Sequence, residues 1–99
     1  MARTNEAERK GIGPLALLAP GEAGLVVGLS AGGLVRRRLL DLGFVPGTVL
    51  RAVRRSPLGD PTAYSVRGAV IALRAADANN ILVRRAPEST GATAAAPDD

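Results

Sequence analysis

Carboxylates are the side chains of this sequence best suited to acid–base chemistry or to metal binding. The chain contains no histidine and no cysteine, which removes imidazole bases, thiolate ligands and cysteine nucleophiles. Between residues 14 and 85 the acidic residues are Glu22, Asp41, Asp60 and Asp77, and their spacing pairs none of them locally. No nucleophile stands beside a base. We therefore expect a protein with no catalytic residues, no cofactor and no metal site.

A glycine-rich stretch from Gly28 to Gly33 precedes a predicted helix, which is the arrangement of a phosphate-binding loop. Such a loop needs a lysine followed by serine or threonine after its last glycine, and Leu34-Val35 stands there instead. The dinucleotide-binding fingerprint is missing as well. We interpret the stretch as a flexible lead into the helix, with Ser30 or a glycine as the N-cap.

Arginine is the charged residue type that the sequence supplies in number. The formal net charge is +4, and residues 14–85 alone hold +6 because ten arginines face four acidic residues. Three interpretations stay open: a solvated face, a contact with an acidic partner or anionic lipid headgroups, and nucleic acid. Only Phe44 and Tyr64 are aromatic, whereas single-strand readers use several stacking aromatics, so RNA is the least favoured. The predicted basic surface consists of Arg36, Arg37, Arg38, Arg54 and Arg55, with Arg84 and Arg85 adding to it.

The loop from Pro57 to Pro61 is the best candidate for a contact with a partner. Two prolines stiffen it, Gly59 permits a turn, and Leu58 places an apolar side chain at the tip. In the alternative interpretation Leu58 folds back over the core and Asp60 caps its own turn. The predicted partner-binding residues are Leu40, Gly43, Phe44, Pro57, Leu58, Gly59 and Asp60, of which Leu40, Phe44 and Leu58 would form a small apolar patch.

One helix is predicted, over Leu34–Leu42. Val35, Leu39 and Leu42 fall within an arc of about 60° and are expected to form its core face. Leu40 falls on the other side of the helix, which is why it is assigned to the apolar patch. Gly43 fits the position that ends the helix.

Alternating apolar residues predict strands in the rest of the middle region. They indicate one strand over Leu25–Ser30, a long and strongly bent one over Thr48–Ser56, a hairpin over residues 62–73 that turns at Arg67-Gly68, and a last strand from Ile81. A single 3₁₀ turn is expected within Ala75–Asn80. The predicted fold class is mainly β: a small SH3-like barrel of about five strands, with a short inserted α-helix and a 3₁₀ turn before the last strand.

The ends of the chain have a different composition. Residues 1–13 are predicted to be a flexible lead-in, residues 14–86 the barrel domain, and residues 87–99 a disordered tail rich in Pro, Ser, Thr, Ala and Asp. No apolar stretch approaches the roughly 20 residues that span a bilayer, and no secretory signal starts the chain. These features lead us to expect a cytoplasmic protein.

Two strings of residues resemble a known family. They are RLLDLGFVPG at residues 38–47 and RSPLGDP at residues 55–61, preceded by LALLAPGE at residues 15–22. In this order and separation they closely resemble the FeoA family of small bacterial ferrous iron transport proteins. The resemblance runs from about Pro14 to Arg85 and also includes the Gly68 hairpin.

The resemblance implies an SH3-like barrel that acts without chemistry of its own. Its partner would be a FeoB-type membrane transporter with a cytoplasmic GTP-binding portion, so the protein would lie in the cytoplasm, at the inner face of the plasma membrane through that partner. Family-level transition metal binding is implied too, but the few carboxylates and the missing imidazoles argue against a direct ferrous site. Residues 1–13 are too short for a helix-turn-helix, so no DNA binding is expected. The alternatives are a basic barrel that binds RNA and a self-associating interaction module.

Overall fold

The computed structural model describes residues 11–86, in which every strand belongs to one antiparallel sheet. The elements are β1 (Ile12–Pro14), a 3₁₀ turn (Leu15–Leu17), β2 (Ala23–Leu29), α1 (Gly33–Leu42), β3 (Val49–Arg55), β4 (Thr62–Val66), β5 (Ala69–Leu73), α2 (Ala75–Ala78) and β6 (Ile81–Arg85). The six strands lie in the order β1-β6-β2-β3-β4-β5. This confirms the predicted mainly β fold class and adds one short strand, β1.

β1 lies before the predicted domain boundary at residue 14. Ile12 and Gly13 are predicted to belong to the lead-in, whereas they pair with Arg84 and Val83 of β6. A strand of three residues is too short to show alternation, so no pattern could reveal it. The flexibility predicted for residues 1–10 and the disorder predicted for residues 87–99 concern residues outside the described region.

The hairpin of β4 and β5 has the predicted two-residue turn. Val66 pairs with Ala69, which leaves Arg67 and Gly68 in the turn. Both have positive φ, 51° at Arg67 and 86° at Gly68, as a type I′ turn requires. Thr62, Tyr64 and Val66 of β4 are buried, so one face of this hairpin forms the floor of the core.

A β-bulge in β2 explains why simple alternation fails there. Val26 pairs with Val83 and Gly28 pairs with Leu82, which leaves Val27 as the extra residue. The bulge turns Leu29 to the side of Val26, where it packs against the core. A bulge shifts every later side chain of a strand to the other face.

A second bulge lies in β3, where Ala52 pairs with Tyr64 and Arg54 pairs with Ala63. Leu50 and Ala52 are buried, whereas Val49 and Val53 are exposed on the outside of the sheet. Because Val53 is the extra residue, Arg55 lies opposite the buried Thr62. The predicted bend of this strand therefore takes the form of a bulge that brings an arginine to the edge of the core face.

The predicted helix is present as α1, but its contribution to the core is small. Leu39 is fully buried, whereas Val35 is 38% exposed and Leu42 is 39% exposed. The prediction of a core face formed by all three residues is wrong for Val35 and Leu42, because Leu39 is the only buried residue of this helix. No helix in the described part of the chain has the length and apolar character needed to cross a bilayer.

The end of α1 accounts for the position of Phe44. Gly43 has φ +113° and its N–H donates to the carbonyl of Leu40 at 3.0 Å, while the N–H of Phe44 donates to the carbonyl of Leu39 at 3.1 Å. This pair of hydrogen bonds is a Schellman motif, in which the second residue after the helix packs against the third residue before its end. Phe44 and Leu39 accordingly belong to the same core cluster, both fully buried.

The turn before the last strand is α-helical instead of 3₁₀. In α2 the N–H of Ala78 donates to the carbonyl of Arg74 at 3.0 Å, and the N–H of Asn79 donates to that of Ala75 at 2.9 Å. These are the i→i−4 bonds of an α-helix. Ala78 is buried, so this short helix places one apolar side chain on the core.

Candidate partner-binding site

The loop between β3 and β4 projects an apolar side chain into solvent. Its ends are closed by hydrogen bonds from Ser56 N–H to the carbonyl of Pro61 at 3.0 Å and from Gly59 N–H to the carbonyl of Ser56 at 2.8 Å. Gly59 has φ +91°, a conformation in which a side chain is strained. Leu58 at the tip is 93% exposed. The alternative in which Leu58 folds back over the core is therefore wrong.

Asp60 fixes this loop to the second helix. Its Oδ1 accepts a hydrogen bond from the backbone N–H of Ala75, the first residue of α2, at 2.9 Å. Arg74, the N-cap of that helix, makes no side-chain cap, so Asp60 satisfies an N–H group from fifteen residues away. The expectation that Asp60 caps its own turn is corrected here: it caps a neighbouring helix and so holds the loop against the barrel.

A cavity of about 400 Å³ lies beside this loop. Its lining includes the loop residue Gly59, the 66%-exposed Leu17 of the 3₁₀ turn, and Arg55 at the end of β3. Thr62, Tyr64 and Leu73 complete most of its wall. Sequence reasoning missed Leu17, and only the bulge in β3, which alternation does not reveal, brings Arg55 to this position.

Tyr64 and Arg55 give the cavity its polar character. Burial raises the pKa of Tyr64, and the negative charge of Asp60 adds to the rise, while the Thr62 side chain and the Arg55 guanidinium act in the opposite direction. The phenol is therefore held in its neutral form. Arg55 Nη2 donates to the carbonyl of Leu18 at 3.3 Å, which leaves most of the five guanidinium N–H groups for other acceptors.

The remaining predicted contact residues lie apart from the loop. Phe44 is fully buried, so its assignment to a surface patch is wrong. Gly43 ends α1, and a side chain there would place its Cβ 3.3 Å from Val66 Cγ1, so its position is explained by structure. Leu40 is half-buried and lines a different cavity of about 590 Å³, together with Arg36 and Arg37.

The predicted basic surface is distributed over several elements. Arg36, Arg37 and Arg38 are exposed on α1, while Arg54 and Arg55 end β3. Arg38 Nη2 lies 3.0 Å from Asp77 Oδ2 and joins the two helices. Arg85 Nε lies 3.7 Å from Glu22 Oε1, which also accepts the backbone N–H of Ala19 at 2.7 Å. Three of the four acidic residues in the described part of the chain thus have structural partners, Glu22, Asp60 and Asp77.

The described residues contain no metal centre of the usual kind. Between residues 11 and 86, no three or more acidic, histidine or cysteine side chains come together in a group that could hold a metal ion. Asp60 already accepts a hydrogen bond from the Ala75 N–H, and Asp77 already forms an ion pair with Arg38.

Comparison with known proteins gives consistent matches to one family. A family model described as the FeoA domain matches residues 13–85. An Fe(2+) transport protein A/Fe(2+) transporter FeoB fusion protein of Porphyromonas gingivalis is 35% identical over 69 residues. That match covers 70% of this chain and 8% of the fusion protein, so this chain spans less than a tenth of that relative's length.

Two solved structures show the same fold. The solution structure of FeoA from Chlorobium tepidum is 34% identical, with a TM-score of 0.70, and the match covers 85% of this chain and 80% of that one. The crystal structure of Stenotrophomonas maltophilia FeoA with zinc, described as an SH3 domain protein, is 31% identical, with a TM-score of 0.64, and the match covers 71% and 87% of the two chains. The SH3-like fold is thereby confirmed, and the family match over most of the sequence shows that this chain belongs to the FeoA family.

Proposed function

We propose that this protein is a non-enzymatic accessory protein of bacterial ferrous iron uptake that binds the cytoplasmic, GTP-binding portion of a FeoB-type transporter. The observation that carries the proposal is the P. gingivalis relative, in which a transport protein A and a FeoB transporter share one chain. Fusion holds two modules at an effective concentration in the mM range. Two separate chains that work together must instead recognise each other through a surface.

The loop Pro57–Pro61 and the cavity beside it are the surface that we assign to this contact. Leu58 at 93% exposure and Leu17 at 66% exposure are two large apolar side chains without a packing role. Arg55 supplies guanidinium hydrogen-bond donors between them. Apolar anchors around a small polar centre are typical of protein interfaces. Leu40, with Arg36 and Arg37 in the second cavity, is retained as a secondary contact.

The carboxylates of the described residues are the basis for proposing a non-enzymatic role. Glu22, Asp60 and Asp77 already have structural partners, and Asp41, on α1, is the remaining carboxylate of the described chain. In this proposal ferrous iron is the transporter's cargo. The S. maltophilia protein is described as a candidate activating factor for ferrous iron transport, which fits a role carried out by binding.

Regulation through binding needs an unequal affinity for two states of the partner. A ligand that binds both states equally shifts no equilibrium, however tightly it binds. The rigid, doubly anchored loop suits such discrimination because Asp60 and the two prolines limit its adaptation to a changed partner surface.

The test of the site compares two exposed aliphatic side chains, one in the loop and one outside both cavities. We expect Leu58→Ser to weaken binding of the transporter's isolated GTP-binding domain about tenfold or more, because burial of a leucine side chain contributes roughly 1.5–3 kcal/mol. Val70→Ser is the matched control, since Val70 is 67% exposed on β5 and lines neither cavity. Titration by isothermal calorimetry gives both affinities. Equal losses in the two variants, or none in either, would contradict the assignment of the loop.

A further inference from the structure

The outside of the sheet is a continuous surface of arginine and aliphatic side chains. Strand register places its residues in rows, because side chains alternate with those that point into the core. One row crosses four strands as Ile12, Arg84, Leu25 and Val49. The next row crosses Ala23, Arg51, Ser65 and Val70, and a third holds Arg54, Ala63 and Ala72. We call these eleven residues the outer face.

The outer face carries positive charge and no negative charge. In the described chain the strands hold five arginines, of which Arg51, Arg54 and Arg84 belong to the outer face. Each of the four acidic residues between positions 11 and 86 lies in a loop or a helix. The outer face thus holds three of the ten arginines of residues 14–85 and none of the four carboxylates.

The apolar part of the outer face is unusually accessible for strand residues. Val49 is 62% exposed and Val70 is 67% exposed, and Val53, the bulged residue beside Arg54, is 46% exposed. Arg51 Nη1 donates to the carbonyl of Gly21 at 2.6 Å, which holds this guanidinium close to the start of β2. Arginine stems cover apolar surface while their guanidinium groups reach outward to anionic oxygens.

We propose that the outer face docks directly on an anionic lipid bilayer, independently of the transporter. The arginines would pair with headgroup phosphates, and the exposed valines between them would enter the interfacial layer. Each arginine near an anionic membrane surface contributes an attraction that amounts to about fivefold in the partition coefficient. Membrane contact confines the protein to the plane in which a membrane transporter is found, so it complements the proposed function without depending on it.

Lipid is favoured over nucleic acid by the residues that accompany the arginines. The only two aromatic side chains of the sequence, Phe44 and Tyr64, are 0% and 1% exposed. Proteins that bind single-stranded nucleic acid without sequence preference stack its bases on aromatic side chains. The outer face offers valine, leucine and alanine instead. Transfer of aliphatic side chains into the bilayer interface is favourable, whereas contact with a phosphate backbone stabilises them little.

Vesicle flotation of the full chain, without any transporter, tests this proposal. We expect binding to vesicles of phosphatidylglycerol and phosphatidylethanolamine, none to phosphatidylcholine alone, and weaker binding at about 300 mM than at about 50 mM salt. The double variant Arg54→Gln/Arg84→Gln should lower the partition coefficient about 25-fold. The matched control, Arg36→Gln/Arg37→Gln, removes the same charge from α1 and should lower it much less.

Three results would overturn the proposal. Equal losses in the two double variants would show that binding follows net charge and has no defined face. An unchanged partition coefficient in Val49→Ser/Val70→Ser would show that the outer face does not rest on the bilayer. Tight binding to polyuridylate together with no binding to anionic vesicles would assign the arginines to nucleic acid.

Discussion

Tyr64 connects the core of the barrel with the cavity beside the partner-binding loop. Its ring is 1% exposed, and burial raises the pKa of the phenol, as does the charge of Asp60, against the opposing effects of Thr62 and Arg55. A raised pKa in the folded state means that the neutral phenol is stabilised relative to the unfolded chain. This contribution is complete below the ordinary value of 10.0 and is lost as the pH rises through the folded-state pKa.

Tyr64 can be titrated without interference because it is the only tyrosine and the chain has no tryptophan. We expect the absorbance change of phenolate formation to have its midpoint above 10 in the folded protein and at the ordinary value in guanidinium chloride. The free energy of unfolding should fall over the same alkaline range. A midpoint at or below the unfolded value would contradict the burial of this ring.

Leu58 is exposed, as its assignment to the apolar surface patch requires, whereas Phe44 is buried. The exposure of Leu58 follows from its loop of two prolines and a glycine, and the structure agrees. Phe44 is predicted to belong to a surface patch with Leu40 and Leu58, yet the same Gly43-Phe44 pair is the sequence signature of a Schellman motif, which favours an apolar contact. That signal is readable in the sequence. The position of Arg55 is not, because it depends on the bulge at Val53, which is defined by the pairing of β3 with β4 and not by a local pattern.

At the scale of elements, the hairpin and α1 follow from the sequence, while the bulges in β2 and β3 do not. The Arg67-Gly68 turn needs only local backbone preferences, and helix periodicity is local too. The bulges are defined by pairing across strands. The bulge in β2 lets Leu29 pair with Ile81, and the bulge in β3 lets Arg55 pair with Thr62. The length of α2 is set in the same way, by the burial of Ala78.

The end of α1 makes a specific prediction at this scale. Gly43→Ala should destabilise the protein by about 1–3 kcal/mol, because φ +113° is strained for alanine and the new Cβ would lie 3.3 Å from Val66 Cγ1. Urea unfolding followed by circular dichroism measures the change. Gly13→Ala is the control, since Gly13 has no atom within 4 Å of such a Cβ, and it should change stability by less than about 0.5 kcal/mol. Similar losses in both variants would contradict the account of this helix end.

At the scale of the whole molecule, a small core supports large exposed apolar side chains. The described residues bury one cluster that includes Leu15, Leu39, Phe44 and Tyr64, while Leu17, Leu34, Leu58 and Val70 are more than 60% exposed. A domain of this size has little stability to spare. The division suggests that the exposed side chains are retained for contacts and that the core carries the stability alone.

Phe44→Ala tests that division. Truncation of a fully buried phenylalanine should lower the free energy of unfolding by about 3–5 kcal/mol, a large part of the total for so small a domain. Leu58→Ala, at 93% exposure, should change it by less than about 0.5 kcal/mol. The urea midpoints of the two variants give the comparison, and a loss of under about 1 kcal/mol for Phe44→Ala would show that Phe44 is not a core residue.

The central claim, that this chain acts by binding a FeoB-type transporter, is tested most directly by titration against the cytoplasmic GTP-binding domain of the transporter from the same genome. The domain would be empty, loaded with GDP, or loaded with a non-hydrolysable GTP analogue. We expect saturable binding whose affinity differs between nucleotide states by about fivefold or more, the smallest coupling usual for allosteric control. Absence of binding in all three states, repeated with the intact transporter in lipid nanodiscs, would contradict it.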